Sequence, residues 1–137
     1  MDDLVDLADI APLDLQPGTV RGRRIEGDRL TVAVIELEPG AIVPEHRHHH
    51  EQIGVCIAGS ITITLDGASR TFGPGGTWRI LADHPHVAVA GPEGAVAIEA
   101  FSPVRDDWAD RRVLDLRPPD WPAAPAADDR ERTTPSG

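Results

Sequence analysis

The sequence predicts an all-β chain folded as a single antiparallel β-barrel or jelly roll. Three observations lead there. Thirteen Gly and thirteen Pro punctuate the 137 residues at short intervals, as expected for many short strands joined by turns. Period-2 alternation recurs in "LTVAVIELE" (30–38) and "SITITL" (60–65), the signature of half-buried strands. No amphipathic pattern of period 3.6 persists beyond about three turns.

Residues 1–18 read as an acidic arm, partly paired at a sheet edge, with its apolar side chains interrupted by Asp, Pro12 and Pro17. Strands are expected at 19–25 and 30–38, and a short one over 41–43 stops at Pro44. From Glu51 to Ala58 the chain is apolar on both faces, as in a strand covered from both sides. Gly59-Ser60 then reads as a turn into "SITITL", and Asp66-Gly67 as a hairpin. Strands at 69–72, 77–81, 86–90 and 95–103 follow, with turns at "GPGG" and at "GPEG" (91–94). Eight or more short, regularly spaced strands make a sandwich or barrel. Arg105 to Leu116 is a short helix or irregular, so the barrel domain spans 19–116. The Pro-, Ala- and charge-rich end, 117–137, is expected to be disordered or merely draped over the barrel.

The net charge of −10 excludes nucleic acid and anionic membrane as partners, because both need a basic surface. One cysteine, Cys56, cannot form an internal disulfide. No secretory leader and no run of 18 apolar residues is present, so a soluble, cytoplasmic protein is expected. The chain has no Lys, Tyr or Asn. Schiff-base catalysis, a Lys base and a Tyr proton donor are therefore excluded, leaving His, Asp, Glu, Cys, Ser and Thr for proton transfer or attack.

The chemically dense stretch is "GAIVPEHRHHHEQ" (40–52). On an extended strand His46 and His48 project to one side, and Gln52 shares their parity. Two imidazoles so spaced can occupy adjacent corners of a metal coordination sphere. A third must come from a distant strand, and the candidates are His84 and His86.

This stretch resembles the first cupin motif: Gly40, then His46-x-His48, Gln52 and Gly59, with glutamine replacing the usual acidic ligand. "FGPGGTWRILADHPH" resembles the second, with Gly75 in the turn and Pro85-His86 at the end. The resemblance implies that His46, His48, Gln52 and His86 hold one divalent transition metal (Fe, Mn, Ni, Co or Zn), and leaves His49, His50 and His84 outside the ligand set. "HRHHHEQ" followed by "IEAFSPVRDDW" is similar, more narrowly, to the KdgF-type cupins, which process unsaturated uronates. Their pattern places an Asp where this chain has Glu99, followed by Phe101, Ser102, Pro103, Arg105 and Asp107.

Three imidazoles and an amide leave the full charge on the metal and open positions for substrate oxygens. Glu99, set among Ala and Phe, is the expected proton shuttle. Arg105 is the expected bidentate clamp for a substrate carboxylate, with an ion pair to Asp106 or Asp107 as the alternative. Phe101 and Trp78, with Arg79, are the expected pocket lining, with the core or a dimer contact as the alternative place for Trp78. The leading expectation is a metal-dependent isomerase, tautomerase or lyase acting on a small oxygenated carboxylate or carbonyl compound. An iron-dependent cupin dioxygenase is the alternative, and a non-catalytic ligand-sensing barrel the second. The doubly apolar 53–57 run predicts a homodimer.

Overall fold

The computed structural model describes residues 2–123. Among them are eight antiparallel strands: β1 (Leu13–Gln16), β2 (Val20–Glu26), β3 (Thr31–Leu37), β4 (Ile42–His46), β5 (Glu51–Leu65), β6 (Ala68–Phe72), β7 (Thr77–Ile80) and β8 (His86–Ser102). The all-β barrel fold predicted from the sequence is the fold of the protein. Two 3-10 turns, Leu7–Asp9 and Asp106–Asp110, are the helical content among the described residues. No helix there is long and apolar enough to cross a membrane.

Two long strands organise the barrel. The amino-terminal part of β5 pairs with β7 and its later part with β6, while β8 accompanies it along nearly its whole length. β8 pairs with β4 through its early residues and with β3 through its late ones. β5 and β8 therefore pass from one sheet (β1-β2-β3-β8-β5-β7) into the other (β4-β8-β5-β6). Gly59-Ser60 and "GPEG", read from sequence as turns, lie inside these strands instead. The β5–β8 register slips between Cys56 and Ala58 and again between Gly59 and Ile61. Gly59 and Gly94 there have φ of +70° and +79°. A Cβ on Gly59 would lie 2.1 Å from the Gly94 carbonyl oxygen. This is a bulged bend in a long pair, where glycine admits both the close approach and the positive φ.

Inward-facing side chains from both sheets form the core, among them Leu15, Ile35, Leu37, Cys56, Ile61, Ile63, Trp78, Ile80, Ala97 and Phe101. Cys56 is a buried free thiol.

The ends of the described chain pack on the outside of β2 and β3. β1 lies within the segment read as an arm and pairs with β2, while Leu13 also bridges Val113. Glu36 Oε1 accepts from Arg21 Nε (2.7 Å) and Arg23 Nη1 (3.1 Å), all three side chains being buried. Arg23 Nη2 donates to the Arg117 carbonyl (2.6 Å), and the Asp120 backbone N–H donates to Glu36 Oε2. Most of the segment 117–137 expected to be disordered or draped lies outside the described residues.

Candidate metal centre

β4 ends at His46, directly opposite His86 at the start of β8. His48 follows in the loop to β5, so it reaches the site by a turn of the chain and not by the strand parity expected from sequence. One ring nitrogen each from His46, His48 and His86 lies within 4.8 Å of the other two.

Each of these rings is oriented by a backbone carbonyl. His46 Nδ1 lies 2.8 Å from the Pro44 oxygen, His48 Nδ1 2.9 Å from the His50 oxygen, and His86 Nδ1 2.9 Å from the His84 oxygen. A carbonyl only accepts, so Nδ1 carries the proton and Nε2 keeps its lone pair. Nε2 of His48 and of His86 is buried without a partner. Burial, then the nearby Arg105 charge, lowers the His48 pKa to about 4. Burial likewise lowers that of His86. Neutral, unpartnered lone pairs converging in a buried pocket are costly unless an electrophile takes them. The donor set therefore fits a divalent transition metal.

The other histidines stand apart. His84 is on the surface, with Nδ1 2.9 Å from Asp66 Oδ2. His49 is exposed and its ring lies 4.0 Å from that of His50. His50 is buried with Nε2 on the Val104 carbonyl (3.1 Å).

Gln52 on β5 is buried, and its Nε2 donates to Glu99 Oε1 at 2.8 Å. That contact leaves the amide oxygen as the end available to a cation. Glu99 on β8 also accepts from Trp78 Nε1 at 2.8 Å. Burial raises its pKa, opposed by the bonds from Gln52 and Trp78.

A cavity of about 360 Å³ opens onto these groups; its lining includes His46, His48, Gln52, His86, Glu99, Phe101 and Arg105. Trp78 and Arg79 are not on its wall: Trp78 lies behind it, reaching the site only through its indole nitrogen, and Arg79 is exposed. Trp78 was expected on the pocket lining, with the core as the alternative, and the core is where it lies. Its inward orientation on β7 buries it against Phe72 (centroids 5.7 Å).

Arg105 is buried, with its guanidinium over the rings of Phe101 (4.7 Å) and Trp108 (4.3 Å). Nε and Nη2 each donate to one carboxylate oxygen of Asp107, both at 2.9 Å. The side edge of the fork expected to grip substrate is thus already occupied. Of the five guanidinium N–H donors three remain, including the pair along the Nη1–Nη2 end. Asp107, one of the two acids weighed from sequence as a partner of Arg105, is the residue that fixes this edge.

The Cupin domain family matches residues 33–101. The chain is 33% identical over 82 residues to the pectin degradation protein KdgF of Dickeya dadantii (strain 3937), covering 59% of this chain and 74% of that protein. KdgF from Halomonas sp. is similar in structure, with a TM-score of 0.71 at 27% identity over 78% of this chain and 98% of that one. An RmlC-like cupin from Shewanella frigidimarina shares the fold, with a TM-score of 0.73 at 23% identity over 79% and 96% of the two chains. With these matches beside the ordered His46, His48, Gln52 and His86, the chain belongs to the cupin family and is a KdgF-type cupin.

Proposed function

We propose that the protein is a metal-dependent isomerase or tautomerase, or a mechanistically related lyase. Its substrate is a small oxygenated compound bearing a carboxylate, with unsaturated uronates as the first class to test. The observation that carries the reading is the convergence of His46, His48 and His86 within 4.8 Å beside the buried carboxyl of Glu99.

His46, His48, His86 and the Gln52 amide oxygen would hold one divalent metal, which would act as a Lewis acid on a substrate oxygen and make the neighbouring C–H or O–H more acidic. Glu99 then takes that proton at Oε2, since Oε1 is engaged by Gln52 and Trp78. Returning it to carbon completes an enol-to-keto shift with no net change in oxidation state. Burial raises the Glu99 pKa and so makes its carboxylate a stronger base. Arg105 meets the substrate carboxylate through its Nη1–Nη2 end, its other edge being held by Asp107. Phe101 closes the wall behind the substrate and keeps water from the reacting atoms.

Proton exchange and product formation from unsaturated uronates, followed by NMR in D₂O with oxygen uptake recorded in parallel, test this reading. Glu99→Gln is expected to lose about 10²–10⁴-fold in kcat. Arg105→Ala is expected to act mainly on KM. Stoichiometric oxygen uptake would replace the reading with the dioxygenase. The protein is further proposed to work as a homodimer joined through the outer face of β5 and β8, where Ile53 is 54% exposed.

A further inference from the structure

Trp78 never reaches the cavity wall, yet its indole touches the buried carboxyl that faces the cavity. Three residues in one cross-strand row explain how. Glu99 on β8 is opposite Gly54 on β5, and Gly54 is opposite Trp78 on β7. With no side chain on the middle strand, the indole lies across it and donates from Nε1 to Glu99 Oε1 at 2.8 Å. A Cβ at position 54 would stand 2.3 Å from Nε1 and 2.4 Å from Cε2, inside the indole itself.

The direction of this bond is unambiguous, because an indole N–H can only donate. Gln52 Nε2 donates to the same oxygen at 2.8 Å. A glutamate carboxyl otherwise turns freely about its last torsion. Two donors on one oxygen fix that torsion, and among the described residues no protein group donates to Oε2.

We propose that Trp78 is a positioning residue for the reaction and that Gly54 is the gap through which it acts. Together they anchor Oε1 of Glu99 and leave Oε2 as the oxygen presented to substrate. This rests on the reading of Glu99 as proton carrier. A bond that orients a reacting group without touching substrate affects turnover and leaves substrate binding intact, which separates this role from a packing role.

Trp78→Phe keeps a ring against Phe72 and removes only the N–H. In the metal-containing protein acting on an unsaturated uronate, it is expected to lower kcat about 10- to 100-fold, the cost of a misplaced reacting group. KM should stay within about twofold and metal content should not change. Gly54→Ala should show the same split, because its methyl displaces the indole. The double variant should be no slower than the slower single one, since both remove one contact, whereas unrelated packing lesions would multiply. Independently of turnover, the Trp78 Nε1–H resonance in a ¹H–¹⁵N spectrum should move toward the free-indole position in Gly54→Ala and in Glu99→Ala. A Trp78→Phe protein with wild-type kcat beside an inactive Glu99→Gln protein would overturn the positioning role alone. An active Glu99→Gln protein would instead overturn the proton-carrier reading beneath it. An indole resonance unmoved by Gly54→Ala would refute the geometry.

Discussion

Replacing His86 by Ala is expected to weaken metal binding by about 10²-fold, while replacing His84, two residues earlier, leaves it within about twofold. The four proposed donors are three imidazole nitrogens and one amide oxygen. Four-ligand protein zinc sites have apparent binding free energies of about 10–16 kcal/mol, so one donor in four is worth about 3 kcal/mol. At about 1.4 kcal/mol per decade that is a hundredfold rise in Kd. His86 has no local substitute: it is 4% exposed, and its Nε2 is buried without a partner. The next nearest imidazole by sequence, His84, is exposed and engaged with Asp66. Competition against a chelator of known affinity, run on His46→Ala, His48→Ala, His86→Ala, His49→Ala and His84→Ala, separates the two groups. The first three should lose metal and the last two keep it. Wild-type affinity in His86→Ala, or a hundredfold loss in His84→Ala, would refute the assignment of donors.

Three further outcomes follow from other parts of the fold. Glu36→Ala leaves Arg21 and the fully buried Arg23 without their shared carboxylate. The expected loss is about 3–5 kcal/mol, a fall in Tm of roughly 10–20 °C for a domain of this size; a fall under about 4 °C by calorimetry would contradict it. Because the Glu99 pKa is raised above 4.5, the native state binds more protons than the unfolded one just above that pH. Its contribution to stability therefore falls as pH rises above 4.5, and the Tm of the wild type minus that of Glu99→Gln should decline as pH is raised from there. A difference independent of pH would refute this. For the proposed homodimer, light scattering should give a dimer mass for the wild type and a monomer mass for Ile53→Arg, which places a charge on the exposed apolar face of β5; a monomeric wild type or a dimeric variant would contradict the proposal.

Much of the barrel was legible because alternation is local. "LTVAVIELE" and "SITITL" announce strands whatever they pair with. The two longest strands were not legible as units, for a definite reason. A glycine with positive φ serves a turn and a bulge equally well, and only the partner strand decides between them. Gly59 pairs with Ala95, beside Gly94, in a ladder that continues past both glycines, so the bend belongs to the β5–β8 pair. The packing of the chain ends was equally hidden. Arg21, Arg23 and Glu36 look like solvated charges on alternating strands, and nothing local says that the Arg117 carbonyl and Asp120 will cover them.

The candidate site shows the same division between donors and their availability. Sequence names the residues able to bind a metal or move a proton, and His46, His48, Gln52, His86, Glu99 and Arg105 do line one cavity. It cannot say which atoms of those residues are already spent. Three carbonyls take the Nδ1 protons and so aim three Nε2 lone pairs inward. Asp107 takes one edge of Arg105 and leaves the other. Gly54, which looked like one more small residue in "IGVC", opens the path by which an indole two strands away occupies one oxygen of Glu99. The extra methylene that distinguishes Glu99 from the aspartate of the KdgF-type pattern extends the carboxyl along that path. Glu99→Asp in this chain should therefore draw the carboxyl away from Trp78 and Gln52. It is expected to lower kcat on an unsaturated uronate even though it restores the residue of the pattern, and a wild-type kcat in Glu99→Asp would refute the role of these two contacts.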